Sequence, residues 1–317
     1  MGRMSLQAQS NEKKKIDDLS IDEFLTKDYS ELVDLATEGR GKAGSYGARA
    51  QAISSGLNVN GFLTTEFKNA QNTEHTFDNH YFVLFFNKQL TDAISTDAQL
   101  EIEHGGESIQ LLFAHVDYKV DPRLIVRAGK FIIPSSPLNE YFYPDFLSKT
   151  IERDYINTEL SPTVWGETGL QLRGIFEFSP KIDLYYAAYV VNGLEGLESN
   201  TIRESREDNL DRNNSSKSFG YRLGTTINKQ FEIGTWNYYG RYHPTKKLNL
   251  LLGGVDFTYR HKGITGSVEY QYGFKDFDNE TQDYSGFAVI AAYKYKMLEP
   301  VIRFDTYDNE VQAAKNV

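Results

Sequence analysis

The sequence predicts an all-β chain, organised as a transmembrane antiparallel β-barrel. Three observations carry this expectation: side chains alternate between apolar and polar, the alternating runs are long, and the links between runs are short at one end and long at the other. The stretch from Ile94 to Phe131 shows the first two. Ile94, Ala98, Leu100 and Ile102 point one way, and Ser95, Asp97, Gln99, Glu101 and Glu103 the other. A second run sets Leu112, Ala114, Val116, Tyr118 and Val120 against His115, Asp117 and Lys119. A third sets Leu124, Val126 and Ala128 against Arg123 and Arg127. A period of two is the signature of a strand with one oily and one wet face. Soluble strands average about five or six residues. These runs hold phase for roughly nine to twelve, the length a tilted strand needs to cross a bilayer.

Taken in order, the chain opens with MGRMSLQAQS, whose small-polar end suits either the remnant of a signal peptide or an ordinary flexible terminus, over residues 1–12. Residues 13–56 read as a polar, partly helical lead-in on the periplasmic side or a plug-like element, with Leu19, Ile21, Phe24, Leu25, Leu32, Val33 and Leu35 at loose helical spacing and Ser20 and Glu23 placed as a cap. From Leu57 the pattern is strand after strand. Further candidates are Leu57–Phe67, Phe77–Leu90, Val164–Phe176, Ile182–Asn192, Ser218–Asn228, Phe231–Tyr242, Leu248–Arg260, Ile264–Phe274, Phe287–Met297 and Val301–Asp308. With the three runs of 94–131, that is roughly thirteen strands, with boundaries good to a few residues. Phe77–Leu90 is apolar on both faces from Tyr81 to Phe86, so its phase cannot be read.

Short links such as Thr91-Asp92-Ala93, Asp121-Pro122 and Lys229-Gln230 alternate with long ones, Ile132–Thr163 and Gly193–Lys217. That asymmetry is the barrel pattern. Gly193–Lys217 is too polar to pack and is expected outside. Ile132–Thr163 is rich in Pro, Tyr and Phe and is expected to fold into the lumen as a constriction, with Asn139, Glu140, Tyr141, Tyr143 and Asp145 at its centre; a loop packed on the rim or at a subunit contact is the alternative. Barrels close with an even strand count, and the last residues, QAAKNV, lack a terminal amphipathic strand, so residues 57–317 are expected to be a barrel short of its C-terminal strands.

Composition agrees with this class. Mean hydropathy is −0.51 and there is no apolar run of about 18 residues, as expected when only every second residue meets lipid. The 21 Tyr and 20 Phe would supply interfacial girdles. A net charge of −10 argues against a nucleic-acid partner, and the absence of Cys excludes a disulfide framework or thiolate metal site. There is no P-loop, GxGxxG, GxSxG or HExxH, so no enzyme is expected. His104 and His115 could meet across a hairpin, but two scattered histidines fall short of a zinc site, and no metal or cofactor is expected. Asp276-Asp278-Asn279-Glu280 lacks calcium-loop spacing and reads as a turn.

The segments FDNHYFVLFFNKQLTDAISTDAQLEIEHGG, RLIVRAGKFIIPSSPLNEYFYPDF, SPTVWGETGLQLRG and YVVNGL resemble the phosphate-selective porin O/P family, over roughly Leu57 to Asp308. The resemblance implies a sixteen-stranded barrel in the bacterial outer membrane, lipid on its outside, usually a homotrimer, passing small-molecule or inorganic-ion solutes by diffusion. About three strands would then be absent here. Phosphate-specific members present a lysine ladder. In this chain the expected lumen cations, Lys119, Arg123, Arg127, Lys149, Arg153, Arg173, Arg222, Arg260, Lys294, Lys296 and Arg303, are interleaved with Asp97, Glu101, Glu103, Asp117, Glu167, Asp256, Glu269 and Asp305. A mixed ring selects ions weakly. The expectation is a general or weakly selective pore for small hydrophilic or anionic solutes, phosphate and polyphosphate among them. A non-conducting binding or anchoring barrel and a soluble glycan-binding β-sandwich are the competing readings.

Overall fold

The computed structural model describes residues 56–69, 75–145, 147–194, 202–203, 216–243, 247–277 and 280–308. The expected elements over 1–12 and 13–55, most of the polar loop 193–217 and the final residues lie outside that set.

Thirteen strands form one antiparallel sheet in strict sequence order: β1 Asn58–Lys68, β2 Thr76–Gln89, β3 Ile94–Glu103, β4 Ser108–Asp121, β5 Leu124–Ile132, β6 Gly166–Ser179, β7 Ile182–Val191, β8 Ser218–Ile227, β9 Phe231–Arg241, β10 Asn249–His261, β11 Ile264–Phe277, β12 Glu280–Tyr293 and β13 Val301–Asp308. Each strand pairs with its chain neighbours, the up-and-down arrangement that two-residue turns permit. At Lys262-Gly263, both residues take positive φ (49° and 81°), the twist-matched hairpin turn that closes β10 onto β11 at His261↔Ile264. Among the described residues β1 pairs only with β2, and β13 only with β12. Among the described residues no helix is long and apolar enough to cross a membrane.

The sheet is curled about its long loop. Tyr143 bonds Gln99 on β3, and the backbone N–H of Tyr155 donates to Asp305 on β13 at 3.0 Å. Ten strand spacings of about 4.8 Å would separate those strands in a flat sheet, about 48 Å. The chain from 143 to 155 reaches at most about 40 Å even fully extended, and the Leu147 and Ser148 N–H groups both turn back to the Pro144 carbonyl. Only a sheet wrapped round the loop brings both anchors within reach.

The two faces differ as the alternation requires. On the outer face Leu170 and Leu172 of β6, Leu223 of β8, Val255 of β10 and Val268 of β11 stand exposed. Aromatics gather near the strand ends: Phe176, Phe178 and Tyr186 at one end, Phe67 against Phe77 at the other, with centroids 4.9 Å apart. No second sheet covers these rows among the described residues, so the sandwich alternative is overturned. The inner face is more aromatic than the sequence suggests. Trp165, Tyr189, Trp236, Tyr238, Leu250 and Leu252 form one buried cluster there, and Val83, Phe85, Phe113 and Tyr143 belong to another. A loop docked on that face needs apolar partners, which a wholly polar wall would not supply.

Two bulges explain where alternation misleads. Between β1 and β2, Thr64 faces Tyr81 while Glu66 faces Asp78, so β2 carries an extra residue and changes phase at 79–80. Between β3 and β4, Gln99 faces Phe113 and Leu100 faces Leu111. Leu112, expected toward lipid, is therefore turned into the buried interior beside Phe113. The largest boundary difference is at β12, which begins at Glu280 and ends at Tyr293, where the sequence suggested 287–297. The polar start of β12 reads as a turn, yet it pairs with β11 as far as Phe277↔Glu280.

Candidate pore constriction

The loop 133–165 is built to stay inside. Its two ends are clasped by Asn139, which donates from Nδ2 to the Ile133 carbonyl at 2.7 Å and accepts from the Trp165 N–H at 2.9 Å. Ser136 caps the turn at Asn139 (3.1 Å) and donates to Asn157 at 3.0 Å. From this clasp the loop reaches both walls. Tyr143 bonds Gln99, and Arg173 of β6 lies 3.6 Å from Glu140. On the far side Asn157 donates to Glu269 (3.2 Å) and Lys149 bonds Glu299 (2.7 Å), while an Arg303 guanidinium N–H reaches the Glu152 carbonyl. Asp154 accepts the Asn157 N–H at 3.0 Å, starting the turn at 156–160 that packs on β11, β12 and β13. Burial pushes the Asp145 and Asp154 carboxyls above the usual carboxylate range, with the Asn157 hydrogen bonds opposing the shift at Asp154.

Between the loop and the β2–β6 wall lies a cavity of about 400 Å3. Tyr81, Glu101, Glu103 and Glu167 line it from the wall; Arg153 faces it from the loop, held by its bond to the Thr163 carbonyl at 2.8 Å. Lys130 and Arg203 add two further cations. The lining is thus of mixed sign.

The expected lumen cations divide into three groups. Arg127, Arg173, Arg222, Arg260 and Arg303 are on the inner face, but engaged. Arg127 forms a two-pronged pair with Asp117 at 2.7 and 2.8 Å. Arg222 is fully buried, paired with Asp256 at 2.8 and 2.9 Å and with Tyr185 at 3.0 Å, so it cannot meet a solute as expected. Arg260 stacks over Phe142 of the loop at 4.3 Å, and Arg303 pairs with Asp305 at 3.0 Å. Lys149 and Arg153 belong to the loop. Lys119, Arg123, Lys294 and Lys296 do not line the centre. Lys119 is exposed near the end of β4, Arg123 pairs with Asp121 in the β4–β5 turn, and Lys294 and Lys296 lie in the turn after β12. Of the five loop residues, Asn139, Glu140, Tyr141 and Tyr143 are buried contacts of the loop and Asp145 is half-buried. Lys130 was missed as a site residue. The register of β5 with β4 and β6 runs unbroken through Gly129, so strict alternation puts Lys130 with the outward set and gives no signal for it. His104 and His115 do not meet: His104 bonds Asp78 (2.9 Å), while His115 lies near Asp97 and Asp117.

No family model matches the chain. It is 24% identical over 205 residues to an uncharacterized protein of Aquifex aeolicus (strain VF5), a match covering 60% of this chain and 46% of that protein. In structure it resembles Salmonella typhi OmpF, solved with daunomycin, with a TM-score of 0.54 and 11% identity over 82% of this chain and 81% of that one. Weaker likenesses are to Pseudomonas aeruginosa OccK7 (TM-score 0.45, 8% identity, 80% and 70% of the two chains) and to trimeric OmpT of Vibrio cholerae (TM-score 0.45, 13% identity, 80% and 88%). The OmpF likeness is one of fold: the sheet is that of a transmembrane antiparallel β-barrel.

Proposed function

We propose that the chain is a passive diffusion channel of the bacterial outer membrane, with residues 133–165 as the element that sets its size limit. The observation that carries this reading is the loop itself. It is clasped at its base by Asn139, pinned to β3 on one side and to β13 on the other, and leaves a polar cavity against the β2–β6 wall. A dedicated binding protein has no need of a lumen crossed by a fixed loop with open polar space beside it. We further propose sixteen strands for the closed barrel and a homotrimer, in line with the resemblance to the phosphate-selective O/P type.

Small hydrophilic solutes, anions such as phosphate among them, are the proposed cargo, with weak selectivity. Arg127, Arg173, Arg222 and Arg303 each face a carboxylate, and the cavity sets Arg153 and Lys130 against Glu101, Glu103 and Glu167. Paired charges do not form the single-signed ring that strong selection needs. Single-channel recording in planar bilayers under a salt gradient tests both parts. Discrete open steps with a reversal potential near zero are expected. A potential near the anion limit, with phosphate carrying current, would assign the phosphate-selective mode instead.

A second reading has one observation in its favour. The β7–β10 side of the interior is closed by Trp165, Trp236 and Tyr238, all almost fully buried. A barrel filled that far could serve as a non-conducting anchor. Protein that shows folded, heat-modified gel mobility yet stays silent in bilayers would establish that reading and overturn the channel.

A further inference from the structure

We infer that Asp78, His80 and His104 form a binding site for a divalent transition-metal ion of the zinc or copper type, with Glu66 as a fourth ligand. The three side chains come from β2 and from the turn after β3. Their ligand atoms lie within 4.8 Å of one another. The inference does not depend on whether the barrel conducts.

The fold brings them together in two steps. Asp78 and His80, two residues apart on β2, share the inner face, which the bulge extends to Tyr81, and the β2–β3 pairing at Tyr81↔Glu103 sets His104 across from His80. His104 has a φ of 48° and is followed by Gly105 and Gly106 at 70° and 113°. A non-glycine residue in that region is uncommon and mildly strained. Here the conformation aims the ring inward, so that Nδ1 sits 2.9 Å from Asp78 Oδ2. His80 presents its own Nδ1 to the same oxygen at 3.3 Å, and Glu66 Oε2 lies 3.9 Å from that His80 Nδ1.

These separations fit a metal. Bonds of about 2.0–2.1 Å in a tetrahedral array place neighbouring ligand atoms about 3.3–3.4 Å apart. The observed 2.9, 3.3 and 3.9 Å bracket that edge. Two imidazoles with carboxylates suit Zn2+ or Cu2+, whereas Ca2+ and Mg2+ prefer all-oxygen shells. Lys68 reaches Asp78 Oδ2 at 2.9 Å and Glu66 at 3.6 Å. Its ammonium occupies the position of a competing cation; being half exposed, it can swing out to solvent. His80 and His104 both border the 400 Å3 cavity, so an ion can enter from the aqueous interior.

The second cluster, Asp97, His115 and Asp117, is a poorer host. Both Asp117 oxygens are held by Arg127, and the His115 contacts are 3.7 and 3.9 Å. A fixed guanidinium beside the site repels a second cation.

The test is calorimetric titration of Zn2+ into the full chain refolded in detergent micelles, with folded state checked by gel mobility. One ion per chain is expected. His80→Ala and His104→Ala should each weaken binding by more than about tenfold, and His115→Ala should leave it unchanged. Lys68→Met should tighten it, by up to about fivefold, since an exposed ion pair competes no more strongly than that. Loss of saturable Zn2+ binding in folded protein, binding that survives both His80→Ala and His104→Ala, or equal binding of Ca2+ would each overturn the site.

Discussion

Arg222 is a guanidinium with no access to water, at the centre of a network of Asp256, Glu232 and Tyr185 that spans β7 to β10. Its position on the inner face was legible from the alternation of β8. Its enclosure was not, because the side chains that cover it come from three other strands. Removing one partner from a buried pair leaves a charge without compensation. Arg222→Met should therefore destabilise the folded sheet by about 3–5 kcal/mol, read from the urea midpoint in detergent. Replacing Asp256 with Leu in the same chain should recover part of that loss. Gly224 is a second point where the sequence is silent. Tyr185 lies across it, and a Cβ at 224 would stand 2.0 Å from the Tyr185 ring. Gly224→Ala should cost about 1–3 kcal/mol through the displaced ring and the bond it makes to Arg222.

At the scale of elements, the proposed channel has its size limit set by the long loop. Deleting 144–155 should preserve the Asn139 clasp and raise single-channel conductance, whereas Tyr143→Ala should increase current noise by releasing the β3 anchor. The loop should also respond to pH. Asp145 and Asp154 are both raised by burial, so their folded state holds its proton to higher pH than the unfolded chain does. Such a group contributes stability that is complete below the unfolded value and is lost as pH rises through the folded one. Amide exchange across 144–161, corrected for intrinsic rate, should show more protection in mild acid than above neutrality. Asp145→Asn with Asp154→Asn should flatten that difference. The loop's aromatic content announced that it packs, but its anchors are single contacts on distant strands, and nothing local encodes them. Strand positions were legible wherever one face is apolar throughout, as in β10 and β11. They failed at β12, where Glu280 to Gly286 is polar but still paired, and at the bulges of β2 and β4.

For the whole molecule, the alternation over long runs proved sufficient to choose one curled sheet over two stacked ones, because among the described residues no layer covers Leu172, Val255 or Val268. Lipid is what those rows require. Val255→Arg, near the middle of β10, should lower stability in bilayers by about 2–4 kcal/mol and far less in a strand-end position. Among the described residues β1 and β13 each pair on one side only, and hydrocarbon cannot satisfy the backbone donors and acceptors of an open edge. The far anchor of the loop carries one more consequence. Asp305 lies 150 residues beyond Tyr155. A polypeptide delivered from its beginning must keep this segment waiting, half docked, while seven later strands are added. Such a distant handshake is entropically slow. It makes the locking of the interior a late act of assembly, and on the channel reading gives early intermediates a wider, leakier bore than later ones.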